Sequence, residues 1–257
     1  MNKIFLKELK NNLKEVMKEN HFKVNGQSYV RIINKQILQS IRFEAISGGG
    51  QFCVKIGIIP ICSSKLSHVP SSNIGMKELC CNGGIEYWEY TEESIKEISY
   101  IIKDKVLPLL EKFSDYEKIY EELKTEVNDI PIKKKNGSDI KTILYTFIGE
   151  EYLFWVILRN KDYDKCNILL KNLKEKNLRW LNANLKSSEE NIKNTQSQKY
   201  KKIFEDNKKC FIELAQKKSD RIENLEELLK NNEIEKLMSI TKELEEKNLI
   251  TFKKYIF

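Results

Sequence analysis

Two histidines and six cysteines carry most of the reactive chemistry open to this chain, and their spacing builds no recognisable site. Acid-base catalysis at neutral pH most often needs a histidine. Only His21 and His68 are present. His68 stands near Ser67 and Ser71, but a nucleophilic triad also needs an orienting carboxylate and a nucleophile on a strained turn, and no G-x-S-x-G occurs. The cysteines are Cys53, Cys62, Cys80, Cys81, Cys166 and Cys210, with no C-x-x-C among them. Cys53, Cys62, His68, Cys80 and Cys81 form the tightest set that could ligate zinc, yet structural zinc sites pair ligands two to four residues apart. Cys53 lies in an apolar strand-like run and Cys166 on an apolar helix face, where a thiol acts as a small buried hydrophobe. Neither a metal nor another cofactor is therefore expected, and disulfides are not either.

Glycine and carboxylate patterns point the same way. Gly48-Gly49-Gly50 is followed by strand-like residues, whereas a phosphate loop needs a helix whose N-terminal amides face the anion. It reads as a hairpin tip. Glu86 and Glu89 flank Trp88 in an aromatic setting that can raise a carboxyl pKa, but such spacing is common by chance. No enzymatic activity is expected.

Binding chemistry is better represented. Tyr87, Trp88 and Tyr90 can stack on a ligand or anchor a protein partner, although such groups more often cover a sheet edge or fill a core. The net charge of +7 is uneven. Residues 1–129 hold 18 basic and 18 acidic side chains, residues 130–218 hold 20 and 11, and the last 39 residues hold 7 and 9. Lys199, Lys201, Lys202, Lys208 and Lys209 lie in the basic part, which reads first as a solvated face of long helices and, as a functional surface, is the candidate face for an acidic protein partner. Only five of the 45 basic residues are arginine, the usual base-reading and bidentate phosphate donor, so nucleic acid is the weaker alternative.

These residues need elements to position them. Phe5, Leu6, Leu9, Leu13, Val16 and Met17 recur every three or four residues and predict a helix over Asn2 to Glu19. Ser28 to Ile33, Ile37 to Ile46 and Gln51 to Ile61 read as three strands of an antiparallel meander. In the second of these, the two alternating faces are neither cleanly polar nor cleanly apolar. Thr91 starts a helix buried through Ile95, Ile98, Ile101, Ile102, Val106 and Leu109, which Pro108 should kink or end. Ser114 with Glu117 reads as a capping box for a short helix through Leu123.

The order of these signals resembles a bacterial family known only as domain of unknown function 4304. The resemblance rests on His21-Phe22 after the first helix, Tyr29-Val30-Arg31, Phe52-Cys53-Val54-Lys55-Ile56-Gly57, Tyr87-Trp88, and Leu107-Pro108-Leu109-Leu110-Glu111-Lys112-Phe113. It covers roughly residues 1–125 and implies a fold rather than a chemistry. Lys55 stands where that family often has Asn, so no role passes to Lys55, and no catalytic residue comes with the resemblance.

The second half reads as helical, because residues 150–257 contain neither Gly nor Pro. Pro131 and Lys133-Lys134-Lys135-Asn136-Gly137 mark a junction, and Ser138 can cap a helix with Ile140, Ile143, Leu144, Phe147 and Ile148 on its apolar side. Tyr152 through Asp162-Tyr163 to Leu173 predicts a helical hairpin of tetratricopeptide-like character, without a second copy at the roughly 34-residue period. Long helices are expected over about 188–218 and from 219 or 232 to 248. The expected architecture is α+β at 1–129, an antiparallel sheet packed by helices, followed by an all-α bundle or short solenoid-like domain at 137–257. The expected function is a non-catalytic cytoplasmic protein-binding module, an immunity protein that neutralises a bacterial toxin being one form of it. The alternative is a nucleic-acid-associated defence or regulatory protein. No run of apolar residues reaches the roughly 18 needed to span a membrane, and Met1 to Lys10 lacks the apolar core of a secretory signal.

Overall fold

The computed structural model describes residues 2–46, 49–63, 76–78, 87–123 and 150–257. Helix α1 (Lys3–Glu19) starts at Asn2, whose side-chain oxygen accepts the Ile4 amide at 3.0 Å, and it buries Phe5, Leu9, Leu13 and Met17. Strands β1 (Lys23–Asn25), β2 (Ser28–Ile33), β3 (Ile37–Ala45) and β4 (Gln51–Pro60) form the expected antiparallel meander, with β1 added at its edge. Outside β4 pair two short strands, β5 (Met76–Glu78) and β6 (Trp88–Glu89). Asn34 and Lys35 both take positive φ in the turn between β2 and β3, closed by the Gln36 amide on the Ile33 carbonyl at 3.0 Å. That mirror-image turn matches the twist of the strands it joins. Gly49 and Gly50 take positive φ and the strand β4 follows them, while Gly48 lies outside the described residues.

Both faces of this sheet are covered, which explains the mixed alternation in β3. On one face Phe5 packs on Phe52 (centroids 5.0 Å), the Tyr29 hydroxyl donates to the Lys10 carbonyl (3.1 Å), and Ile95, Ile98 and Ile102 are buried in the following helices. On the other, Val30, Ile32, Leu38, Ile59 and Ile61 form a core with Phe252 and Tyr255 from the end of the chain. Ile256 then makes a parallel bridge to Ile32, and the Phe257 ring stacks on His21 at 4.2 Å.

Helix α2 (Glu92–Ile101) is capped by Thr91 and runs into a wide turn over Ile102–Val106 before α3 (Leu107–Lys112). The Leu107 amide donates to the Ile102 carbonyl, one residue further back than in an α-helix. Pro108, in the first turn of α3, needs no amide hydrogen there, so the helix widens and restarts. Helix α4 (Tyr116–Leu123) is capped by Asp115 rather than Ser114, since Asp115 Oδ1 accepts the Lys118 amide at 2.8 Å.

Four more helices are described: α5 (Glu150–Arg159), α6 (Tyr163–Asn194), α7 (Gln198–Lys230) and α8 (Ile234–Thr251). In α5 every side chain from Leu153 to Leu158 is buried, as a helix apolar all round requires. A single helix over 188–218 is not found, because the chain turns at 195–197 and α7 runs unbroken through Lys217, Lys218 and Ser219. The chain divides into two compact units, residues 1–160 with 241–257, and residues 161–240. The junction expected at 130–137 and the positions Ile140, Ile143, Leu144, Phe147 and Ile148 lie outside the described residues. The architecture is α+β followed by helices, and among the described residues no helix is long and apolar enough to cross a membrane.

Candidate partner-binding surface

The second unit is built on an antiparallel helical hairpin. Contacts that rise along α6 fall along α7: Lys174 with Glu226 (2.7 Å), Asn177 with Ala215 O (2.8 Å), Trp180 with Phe211 (centroids 5.6 Å, edge-on) and Glu189 with Lys208 (2.8 Å). Asp162 caps α6 by accepting the Lys165 amide at 3.2 Å. Asn177 is buried and also donates to Ser219 Oγ at 3.1 Å, a polar tie that sets the register of the two helices.

The two ends of this hairpin differ. Toward the base, Leu169, Leu170 and Leu173 of α6 and Ile222, Leu225 and Leu228 of α7 are buried. Toward the tip, Leu178, Trp180, Tyr200, Ile203, Ile212 and Leu214 are exposed, Tyr200 by 56% and Leu214 by 50%. Isolated exposed apolar residues need no explanation, but a run along one element marks an interaction surface. Tyr200, Ile203, Cys210 and Leu214 follow the three-, seven- and four-residue spacing of one helix strip, about 21 Å long at 1.5 Å per residue.

Each lysine of the sequence-based surface lies on this distal half. Lys199, Lys202 and Lys209 are exposed, while Lys201 and Lys208 are half-buried. Lys208 is held by Glu189, which in turn keeps that carboxyl below its ordinary pKa. Among the described residues no acidic group lies within ion-pair distance of Lys199, Lys201, Lys202 or Lys209, so their charge faces outward. Between Asn177 and Lys218 the chain carries ten basic and five acidic side chains, a net +5.

The aromatic group belongs to the first unit, whereas the lysines belong to the second. Trp88 is buried, faces Phe52 across the β4–β6 pair and donates its indole N–H to Glu97 Oε2 at 3.2 Å. Tyr90 stacks on Phe52 (5.4 Å), meets Phe5 edge-on (5.2 Å) and donates its hydroxyl to the Gln51 carbonyl (3.2 Å). Trp88 is therefore a core residue rather than an exposed anchor, and Tyr87 alone of the three is largely exposed.

Two buried polar clusters escaped the sequence reading. Arg31, only 2% exposed, donates to Gln39 Oε1 (2.8 Å), the Asn20 carbonyl (2.9 Å) and Glu111 Oε1 (2.5 Å), and its guanidinium lies over the Phe22 ring. Burial pulls its pKa down while Glu111 pulls it up. Gln39 passes the network on to the Leu110 and Phe113 carbonyls. The only signal in the sequence was a charged residue and an amide inside strands otherwise destined for the interior. In the second cluster Tyr116 Oη accepts the Cys62 amide (3.0 Å), Arg159 pairs with Glu245 (2.8 Å), and Asn248 donates to the Ile61 and Ser63 carbonyls. Burial pushes the Cys62 thiol up to about 12, so at neutral pH it is protonated and a poor nucleophile.

Of the zinc candidates, His68, Cys80 and Cys81 lie outside the described residues, as does Glu86. Among the described residues no three His, Cys, Asp or Glu side chains cluster as metal ligands would. Comparison with protein-family models, curated proteins and solved structures finds no match to this chain.

Proposed function

We propose that this chain is a non-catalytic protein-binding module whose partner surface is the distal half of the α6–α7 hairpin. The observation that carries the reading is the contrast along one helix pair: apolar residues are fully buried at the base, whereas between Leu178 and Leu214 none is fully buried and six large ones are exposed, among lysines of which, within the described residues, Lys199, Lys201, Lys202 and Lys209 have no acidic partner. Exposed apolar side chains give contact area, and the +5 charge steers an acidic partner. In the bacterial cytoplasm such a module fits the inhibition of a toxin or nuclease, as an immunity protein does. A nucleic acid would use the lysines but gain little from Ile203 and Leu214, which makes it the weaker reading.

Co-expression with the product of the adjacent gene tests this. Protection from that product's toxicity, lost in the Lys199→Glu, Lys201→Glu, Lys202→Glu, Lys209→Glu variant, is expected. Salt-sensitive recovery of RNA or DNA in place of a protein contradicts it.

A further inference from the structure

We infer that the distal hairpin takes one acidic amphipathic helix, laid along the Tyr200, Ile203 and Leu214 strip as a third helix beside α6 and α7. The inference rests on the protein-binding reading above and adds the shape and charge of what is bound.

Spacing argues for a helix. The strip's side chains fall three, seven and four residues apart, with exposed Asn207 in the longer gap, and so share the one face of α7 that a partner helix meets when its own i, i+3, i+4 and i+7 residues dock. At about 21 Å the strip matches about four turns of such a helix. Beside the strip, Trp180 is 40% exposed and fixed edge-on against Phe211, a rigid aromatic that loses little freedom on binding.

Charge decides the kind of helix. Lys199 and Lys217, 18 residues or five full turns apart, stand at one angle on α7 at the two ends of the flank that borders the strip, with Asp206 and Glu213 between them, and the distal half as a whole carries a net +5. Glutamates in the flanking positions of a docked helix would reach them, as charged residues beside a helix seam do. A second copy of this chain would instead bring two distal halves of net +5 together.

The experiment uses the full-length chain and two labelled synthetic peptides of four heptads, with Leu at the a and d positions. One carries Glu and the other Lys at e and g, and like-charge repulsion keeps each from pairing with itself. Fluorescence anisotropy and circular dichroism should show the Glu peptide binding and becoming helical, with the Lys peptide at least about tenfold weaker. Ile203→Asp with Leu214→Asp, or Lys199→Glu with Lys217→Glu, should each weaken binding about tenfold or more, with the melting temperature of the chain unchanged because all four side chains are on the surface. Equal binding of both peptides, or binding unaffected by the Asp substitutions, overturns the inference. Poly-glutamate, which lacks apolar residues and is not helical at neutral pH, separates the two levels. If it binds as tightly as the Glu peptide, the helix is wrong and the acidic-partner reading stands; if neither binds, both fall. A concentration-dependent dimer in sedimentation, split by Ile203→Asp, would assign the strip to a second copy and overturn the inference as well.

Discussion

Arg31 on β2 and Glu111 on α3 meet at 2.5 Å across 80 residues of chain, with the guanidinium buried and the carboxylate half exposed. The guanidinium is satisfied on three sides, by a side-chain amide, a main-chain carbonyl and this carboxylate. It thereby ties the chain leaving α1, the middle of the sheet and α3 into one frame.

Removing either partner should be costly, but not equally. Glu111→Ala leaves Arg31 with its bonds to Gln39 and Asn20, and should cost about 1–3 kcal/mol. Arg31→Ala empties a buried site and strips donors from three acceptors, and should cost about 3–5 kcal/mol. Urea unfolding followed by circular dichroism gives both values; equal and negligible losses would show that the pair is ornamental.

The end of the chain should matter as much as its middle. Phe252 and Tyr255 close the core on the second face of the sheet, so Phe252→Ala should destabilise the first unit by about 3–5 kcal/mol. Hydrogen exchange would localise the loss: amides of β2, β3 and β4 should gain exchange, while those of Leu169 to Leu173 should not.

Thiol chemistry provides a pH test. The Cys62 thiol, free to ionise near 8.5 when unfolded, is pushed up to about 12 in the fold. The folded state therefore holds that proton more tightly, so its contribution to stability is complete below about pH 8.5 and falls as pH rises toward about 12. Cys62→Ser, which does not ionise in that range, should flatten the alkaline limb of the stability profile. At pH 7.5 a maleimide should modify exposed Cys210 quickly, and buried Cys53, Cys62 and Cys166 only on unfolding, as mapped by peptide mass. Rapid labelling of Cys62 in the folded chain would contradict its burial.

How far the fold was legible follows from which signals repeat. The α1 stripe and strands β2 to β4 declare themselves through period and β-branched content, and the structure places them where those patterns lie. Strands β1 and β6, with three and two residues, are too short to show a period and exist through pairing alone. The turn at 195–197 has neither Gly nor Pro and was not legible, and Lys217-Lys218-Ser219 resembles a break only in composition; of the two starts read for the last helix, the one at 232 lies beside the observed start of α8. Lysine positions on the hairpin were legible. A structural role for the aromatic group was the commoner reading, but that Trp88 is buried while Tyr87 is exposed was not legible, because it depends on a strand pairing made with Phe52, 36 residues earlier. Nor did sequence reveal that α6 and α7 leave no apolar side chain fully buried between Leu178 and Leu214, which is the feature that carries the functional reading.

Photo-crosslinking in the native host tests that reading most directly. A benzophenone amino acid replacing Tyr200 on the hairpin is compared with one replacing Tyr100, an exposed tyrosine of the first unit. A discrete protein adduct from position 200, absent from position 100 and lost when Lys199, Lys201, Lys202 and Lys209 are changed to Glu, is the predicted result. Adducts confined to position 100, or adducts at position 200 that nuclease removes and protease does not, would contradict it.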